Sequence, residues 1–318
     1  MEFVSCNLCG SVNLLEKYSM PDRHYYPDEM FTVVECADCG LAFVNPRPDK
    51  LEIAKYYPKD FYVNFHEQEA RYAAEIKFLR DFYTANDISW KGRMLDIGTA
   101  NGDFPQKMQE EGWDVEGLEV SMNAEHGRNF PIYNCELPDI PVGDARYDLI
   151  TSWAVFEHLH DPMAYFKKVG DILKPGGYFV FLVTNWDSVS SKYLMTEDVP
   201  RHLYFYSEKT TRRYLQLSGL RFINHETNDA IFSGSPENYI PWLVHRLLGK
   251  KFEWKDIPET RQEFLKRKSL RPSVFSNFKF LIRHPLVVLD RLLAPLIISY
   301  QVKTKTYSTS LYIAQKEK

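Results

Sequence analysis

The sequence lacks the excess of positive charge that nucleic-acid binding usually needs, and it lacks a long uninterrupted apolar run. Its formal net charge is −4 over 318 residues, so no global cationic field attracts a phosphate backbone. We therefore expect no nucleic-acid partner. The most apolar stretch, residues 278–300, includes Arg283, His284, Pro285, Asp290, Arg291 and Pro295. These charges and prolines predict a poor membrane span.

The first residues also lack the pattern of a signal peptide. A signal peptide needs positively charged residues at its start and then an apolar run, and this sequence has Glu2 and Cys6 at those places. We therefore expect a cytoplasmic protein.

Cysteine is scarce, but four of the five cysteines form two spaced pairs. Gly10 follows the pair Cys6 and Cys9, and Gly40 follows the pair Cys36 and Cys39. Two such knuckles supply four thiolates, which match the tetrahedral preference of Zn²⁺ and leave no open position for catalysis. The spacing predicts a structural zinc ribbon. The alternatives are four unrelated buried cysteines and a redox pair, which would need only one such motif at a helix start.

The composition is that of a folded protein, with 44% hydrophobic and 26% charged residues. From residue 93, short apolar runs alternate with helical stretches, which is typical of parallel strands joined by crossover helices. We expect strands at 93–97, 113–118, 147–153, 178–183, 221–226 and 309–314. We expect helices at 67–82, 104–111, 122–129, 162–173 and 207–217. The fold class is therefore α/β.

Composition shifts divide the chain into five segments. They are a zinc-ribbon module at 1–48, a helical lead-in at 49–92, the α/β core at 93–235, a helical insertion at 236–304, and the last core strand with a tail at 305–318. The insertion is expected to be helical because an eighty-residue structureless loop is implausible in a compact protein.

A glycine-rich turn follows the first core strand and opens a helix. Asp96 precedes Gly98 and Gly102, and the next strand ends at Glu119. Glycines let backbone amides approach a ligand, and an acidic side chain about twenty residues on can accept both ribose hydroxyls. This pattern predicts adenosine binding but leaves a nicotinamide cofactor and S-adenosylmethionine both open.

Four motifs together resemble the class I S-adenosylmethionine-dependent methyltransferases. They are LDIGTANGDF at 95–104, GLEVS at 117–121, YDLITSWAVFEHLHDP at 147–162 and LKPGGYFVF at 173–181. The resemblance implies a Rossmann-like sheet of seven strands whose last strand is antiparallel. It also implies that S-adenosylmethionine is bound by Asp96, Gly98, Gly102, Glu119, Met122, Cys135, Glu136 and Trp153.

The segment GLAFVNPRP at 40–48 after the cysteine pairs narrows this resemblance. It is similar to methyltransferases of sugar nucleotides and bacterial glycans that carry an N-terminal zinc ribbon. The resemblance implies a small-molecule acceptor of that class, including lipid-linked glycan intermediates. The chain departs from the sugar C-methyltransferases, because it has a helical insertion in place of their large C-terminal domain.

Two histidines are candidates for the base that removes the acceptor's proton. His158 follows the strand that ends near Trp153, which places it at the ligand-binding edge of an open α/β sheet. A role in capping and orienting a helix start is the alternative for His158. His202 lies between the fifth core strand and the next helix, where the resemblance places acceptor-facing residues.

The residues before His202 bear on the kind of methyl transfer. Val199, Pro200 and Arg201 stand where the C-methylating relatives carry a tyrosine, a histidine and a glutamate. This difference favours O-methylation. Arg201 is expected either to clamp an acidic group of the acceptor or to lie in solvent.

Three other hypotheses remain at this stage. The ribbon could serve an RNA methyltransferase, although few basic residues lie between its cysteine pairs. The fold could be a non-catalytic binding scaffold. The insertion could form a packed cap or a homodimer surface, or it could lie against the inner face of the membrane through residues 278–300.

Overall fold

The structure is a computed structural model, and it describes residues 1–58, 69–121, 128–227, 229–232, 238–257 and 285–318. Its strands are β1 (Leu14–Pro21), β2 (Met30–Cys36), β3 (Ala42–Val44), β4 (Arg93–Ile97), β5 (Asp114–Leu118), β6 (Ile132–Tyr133), β7 (Tyr147–Trp153), β8 (Leu173–Thr184), β9 (Tyr204–Phe205), β10 (Leu220–Glu226) and β11 (Thr309–Lys316). Its helices are α1 (Glu69–Ala85), α2 (Asp103–Glu110), α3 (Pro162–Ile172), α4 (Val189–Tyr193), α5 (Glu208–Leu217), α6 (Tyr239–Leu247) and α7 (Pro285–Lys303). Short 3-10 turns lie at Glu52–Tyr56, Leu137–Asp139, Phe156–His158 and Trp254–Asp256.

Seven strands form one sheet in the order β10, β11, β8, β7, β4, β5, β6. Strands β4 to β8 pair in parallel. Strand β11 is antiparallel to both of its neighbours. The predicted α/β fold with a seven-stranded sheet and an antiparallel last strand is confirmed.

Helices cover both faces of this sheet. Leu79 of α1 and Met108 of α2 pack on one face. On the other face Phe166 of α3 stacks on Tyr214 of α5, with ring centroids 4.9 Å apart. Burial on both faces explains why the second half of β8, Tyr178–Val183, is a continuous apolar run. The carboxyl ends of β4, β5 and β7 meet at one edge, where ligands bind in open α/β sheets.

The N-terminal segment forms a second sheet in the order β1, β2, β3, β9. Its last strand comes from the core, because Phe43 of β3 pairs with Tyr204 of β9. The sheet of the predicted module 1–48 therefore includes β9, which begins two residues after His202. This connection was not expected from the sequence.

Helix α7 differs from the sequence-based expectation for the apolar stretch. It is one continuous helix of 19 residues with mean hydropathy 1.4, long and apolar enough to cross a membrane, and only 11% of its most apolar window is buried. The sequence-based expectation of a poor membrane span stays a prediction, because the length and hydropathy of the helix alone do not test it. Pro285 is the first helical residue, where proline is tolerated, and Pro295 lies inside the helix without ending it. Residues 278–284 of the predicted stretch lie outside the described residues.

Two other predicted elements also differ. Strand β8 begins at Leu173 and not at 178, so it includes Gly176 and Gly177. The predicted helix at 122–129 falls mainly on residues that are not described, and its last two residues are not helical.

Candidate cofactor and acceptor site

The turn after β4 adopts a backbone that favours glycine. Gly98 and Gly102 both have φ +75°, and Ala100 between them has φ +47°. A Cβ on Gly98 would lie 2.3 Å from Cγ2 of Val155, which follows β7. The turn therefore packs closely against the segment that leads to His158, and only glycine fits at its first position.

Glu119 is fixed at the end of β5 by two backbone amides. The N–H of Ala100 donates to Oε2 and the N–H of Ser121 donates to Oε1, both at 2.9 Å. The side-chain amide of Asn134 also donates to the Glu119 carbonyl, at 2.9 Å. The carboxylate is thus held beside the glycine-rich turn, and each oxygen keeps a lone pair for a ligand hydroxyl.

Asp96 lies deeper in the same edge. Its Oδ1 accepts a hydrogen bond of 2.6 Å from the Thr151 hydroxyl. Burial raises the pKa of Asp96 to about 7, and the nearby Glu75 carboxyl adds to that increase. Burial likewise raises the pKa of Glu75 to about 7, although its ion pair with Arg71 opposes the change.

Several buried polar atoms near this edge have no hydrogen-bond partner among the described residues. They include the indole N–H of Trp153, at the end of β7, and Oε2 of Glu75. Unsatisfied buried groups are rare and commonly mark a ligand site. Together with the glycine-rich turn and the fixed carboxylate, they fit an adenosyl ligand with a charged amino acid portion.

The remaining predicted cofactor residues are less tightly arranged. Cys135 follows β6 as a half-buried free thiol. Glu136 forms an exposed ion pair of 2.7 Å with Lys50. Met122 lies outside the described residues. None of these contacts reveals a role for Cys135 or Glu136.

His158 and His202, far apart in sequence, lie together. Their ring centroids are 4.8 Å apart. Nδ1 of His202 lies 2.9 Å from a carboxylate oxygen of Glu197. Nδ1 of His158 lies 2.9 Å from the Arg201 carbonyl and 3.0 Å from the Tyr57 hydroxyl. These bonds place a proton on Nδ1 in each ring, so Nε2 is the nitrogen that accepts a proton when the ring is neutral.

The two imidazoles have opposite pKa shifts. Burial alone would lower the pKa of His202, but the hydrogen bond and charge of Glu197, with Glu157 and Asp198 nearby, raise it to about 9. Burial and the charge of His202 lower the pKa of His158 to about 3. Near neutral pH, His202 is therefore an imidazolium paired with Glu197, and His158 is neutral.

Glu157 completes this cluster. An oxygen of Glu157 and one nitrogen from each histidine all lie within 4.8 Å of one another. Burial raises the pKa of Glu157 to about 7. Its Oε2 has no hydrogen-bond partner among the described residues. The cluster can therefore hold and exchange a proton beside the glycine-rich turn.

Arg201 has neither of its expected roles. It is 0% exposed and forms ion pairs with Asp22, which is also 0% exposed, and with Asp198. Its Nη1 also donates to the Tyr56 carbonyl at 3.1 Å. The expectation of an acceptor clamp or a solvated arginine was wrong, because three partners already occupy the guanidinium in the interior.

Sequence reasoning missed the residues that position the histidines. Asp22 lies in the loop between β1 and β2, and the Arg23 guanidinium from the same loop donates to the Thr196 carbonyl at 2.7 Å. Glu197, Asp198 and Tyr57 were missed as well. The only sequence signal was the acidic pair Glu197 and Asp198 close to His202.

The four N-terminal cysteines converge on one point. The Sγ atoms of Cys6 and Cys39 are 3.4 Å apart, and those of Cys9 and Cys36 are 3.6 Å apart. All four sulfurs lie within 4.8 Å of one another. A tetrahedral ion with Zn–S bonds of about 2.3 Å holds its sulfurs about 3.8 Å apart. The donor set and spacing therefore fit Zn²⁺.

Part of this chain is similar to known proteins. A model of the methyltransferase domain family matches residues 65–225. The ubiquinone biosynthesis O-methyltransferase of Cereibacter sphaeroides is 31% identical over 102 residues, which cover 29% of this chain and 41% of that protein. The one from Coxiella burnetii is 28% identical over 191 residues, covering 51% of this chain and 82% of that protein. The chain thus spans less than half of the first of these relatives.

Solved structures with a similar fold were also found. One is a putative sarcosine dimethylglycine methyltransferase from Galdieria sulphuraria, with a TM-score of 0.46 and 15% identity over 76% of this chain and 84% of that one. Another is the 1,6-didemethyltoxoflavin-N1-methyltransferase of Burkholderia thailandensis, with a TM-score of 0.43 and 17% identity over 60% of this chain and 89% of that one.

The family match covers half of the chain and includes Asp96, Glu119 and His158. The topology of its sheet is that of the class I fold. The chain therefore belongs to the methyltransferase domain family, within its S-adenosylmethionine-dependent class.

Proposed function

We propose that this chain O-methylates a hydroxyl group of a sugar nucleotide or of a bacterial glycan intermediate, including a lipid-linked one. The observation that carries this proposal is the Glu197–His202 pair, a carboxylate-oriented imidazole at the ligand-binding edge of the sheet. The ribbon resemblance supports the acceptor class. The names of the ubiquinone O-methyltransferases support transfer to oxygen.

The cofactor half of the proposed site lies around Gly98 and Glu119. S-adenosylmethionine supplies a methyl group on a sulfonium leaving group, so the protein must position the acceptor and remove its proton. Glu119 binds the ribose hydroxyls with the oxygens that Ala100 and Ser121 already orient. Gly98 and Gly102 let the backbone approach the methionine portion.

The acceptor half centres on His202. Glu197 holds Nδ1, so Nε2 of the neutral ring accepts the acceptor's hydroxyl proton as the new O–CH₃ bond forms. His158 supports this ring from 4.8 Å and remains neutral because its pKa is about 3. Val199 has no ionisable side chain and Arg201 is held by Asp22 and Asp198, so neither supplies the groups that C-methylating relatives carry at these positions.

The first test is cofactor binding. Glu119→Ala is expected to weaken S-adenosylmethionine binding by about 10-fold to 100-fold, because two hydrogen bonds to a charged group are lost. Titration calorimetry on zinc-loaded protein measures this affinity. Glu110→Gln, which changes an exposed carboxylate at the end of α2, is the matched control.

The absence of a calorimetric signal with the wild-type chain would contradict the proposed use of S-adenosylmethionine. The acceptor is then sought by measuring S-adenosylhomocysteine formation with sugar nucleotides, lipid-linked sugars and catechols. Turnover only with catechols would replace the glycan assignment by an activity like that named for the ubiquinone relatives. Binding without turnover across the panel would favour the scaffold hypothesis.

We also propose that Cys6, Cys9, Cys36 and Cys39 hold one structural Zn²⁺. Backbone amides of Gly10 and Gly40 donate to the carbonyls of Cys6 and Cys36, at 2.7 and 2.8 Å, which closes each knuckle around its thiolates. Four sulfur ligands fill a tetrahedral shell, so the ion takes no part in methyl transfer.

Metal analysis by inductively coupled plasma mass spectrometry is expected to find one zinc per purified chain. Cys36→Ser should lose most of that zinc, because a closed site needs all four thiolates. Cys135→Ser changes a cysteine outside the cluster and should retain it. Equal zinc contents in the two variants would overturn the assignment.

A further inference from the structure

Helix α7 exposes a continuous apolar face. Leu286, Leu289, Leu292, Leu296 and Tyr300, here called the leucine stripe, recur every three or four residues and so share one side of the helix. Leu292 is 72% exposed, Leu296 is 69% exposed and Tyr300 is 58% exposed. A core helix with this hydropathy would be mostly buried, whereas α7 is not.

A second face, next to the leucine stripe, anchors α7 to the rest of the protein. Asp290, Ile297 and Gln301 are buried. The carboxylate of Asp290 accepts a hydrogen bond of 2.7 Å from the backbone N–H of Ile240, at the start of α6. A helix that spanned a bilayer would have to place Asp290 and Gln301 in hydrocarbon, which is costly. The geometry therefore favours a helix that lies in the plane of a membrane surface.

The exposed charges on and just after α6 and α7 are mainly basic, although the partly exposed Glu253 follows them and pairs with Lys255. Within the described stretches 239–251 and 285–305, every exposed charged side chain is basic, although the whole chain has a net charge of −4. These side chains are Arg246, Lys250, Lys251, Arg291, Lys303 and Lys305. The single carboxylate of those stretches, on Asp290, is buried. Such segregation of charge complements an anionic surface.

The end of α6 adds to the same feature. Leu247 and Leu248 are 77% and 65% exposed, and they lie next to Arg246 and Lys250 in the sequence. Apolar side chains interspersed with basic ones are the pattern of interfacial helices, which bury leucines at the headgroup boundary while cations contact anionic lipids.

We propose that the leucine stripe of α7 binds an anionic lipid bilayer, with the helix lying in the interface. The basic residues of α6 and α7 contact lipid phosphates, and the leucines enter the acyl boundary. This docking does not depend on which acceptor is methylated. It would place the protein where lipid-linked acceptors are found.

Vesicle sedimentation tests the proposal with the full chain. Wild-type protein is expected to sediment with vesicles of phosphatidylcholine and phosphatidylglycerol, and far less with phosphatidylcholine alone. The triple variant Leu289→Gln, Leu292→Gln, Leu296→Gln should lose at least about tenfold in vesicle affinity, because three exposed leucines are removed from the lipid contact. High salt should weaken wild-type binding.

A matched control changes exposed apolar residues elsewhere. Leu15, Met30 and Leu51 are each more than half exposed on the N-terminal part. Replacing all three by glutamine should leave vesicle binding unchanged. Circular dichroism and S-adenosylmethionine affinity show whether each variant is folded, so a failure of lipid binding is distinguished from a failure of the proposed enzyme activity.

Three results would overturn the proposal. The first is wild-type binding that is absent or does not depend on phosphatidylglycerol, and the second is binding by the triple leucine variant as strong as that of the wild type. The third is wild-type protein that stays in the vesicles after alkaline carbonate extraction, which would indicate a spanning helix. If light scattering shows a wild-type dimer that the stripe variant converts to a monomer, without lipid binding, the stripe is instead a contact between two copies of this chain.

Discussion

His202→Ala is expected to lower kcat by about 10²-fold to 10⁴-fold, the usual contribution of a positioned general base. The affinity for S-adenosylmethionine should remain near that of the wild type, because His202 belongs to the acceptor half of the site. His158→Ala should cost much less, about 10-fold, since a ring whose pKa is lowered to about 3 is too weak a base to take a hydroxyl proton. Steady-state kinetics with the acceptor from the screen give both rates.

The pH dependence gives an independent reading of the same assignment. The base form of His202 is the active one, and Glu197 raises its pKa to about 9. Activity should therefore rise with pH from 7 toward 9 and then level off. Glu197→Gln removes the charge that raises the pKa of His202, so the rise should move to lower pH.

Nuclear magnetic resonance titration of labelled histidines measures the same pKa without any acceptor. Glu208→Gln is a fitting control, because Glu208 forms a similar 2.9 Å contact with His225, away from the site. If the pKa of His202 is near 6.5 and Glu197→Gln leaves it unchanged, Glu197 does not raise that pKa. Near-wild-type rates for both histidine variants would remove histidine base catalysis altogether.

The central sheet could be predicted from the sequence because its physical signals are local. Strands β4, β5 and β7 are largely buried, so short groups of apolar residues bounded by turn residues mark them in the sequence. The cofactor half of the candidate site is also local, because its glycines and acidic residues at the ends of β4 and β5 lie within about twenty-five residues of chain. Strands β6 and β9 have two residues each, too few for any periodicity.

The acceptor half was less predictable because its contacts are distant in sequence. The ion pair of Arg201 with Asp22 joins residues 179 positions apart. Nothing near Asp22 in the sequence distinguishes a buried carboxylate from a solvated loop residue. The pairing of β3 with β9 has the same character, since only folding brings the N-terminal sheet to the segment around His202.

That buried ion pair leads to the largest expected effect on stability. Arg201→Met is expected to destabilise the protein by about 3–5 kcal/mol, because it leaves the Asp22 carboxylate charged, buried and without its cationic partner. Urea unfolding followed by circular dichroism measures the change. The ion pair links the β1–β2 loop to the segment before His202, so a lower kcat should accompany the lost stability.

Two comparisons separate pairing from simple loss of an arginine. Arg212→Met removes an exposed pair with Glu208 and should cost no more than about 1 kcal/mol. The double variant Asp22→Asn, Arg201→Met should be less destabilised than the sum of the two single variants, since neither charge is left alone. Additive effects in this cycle would mean that Asp22 and Arg201 stabilise the fold independently, and that the N-terminal sheet does not position His202 through this ion pair.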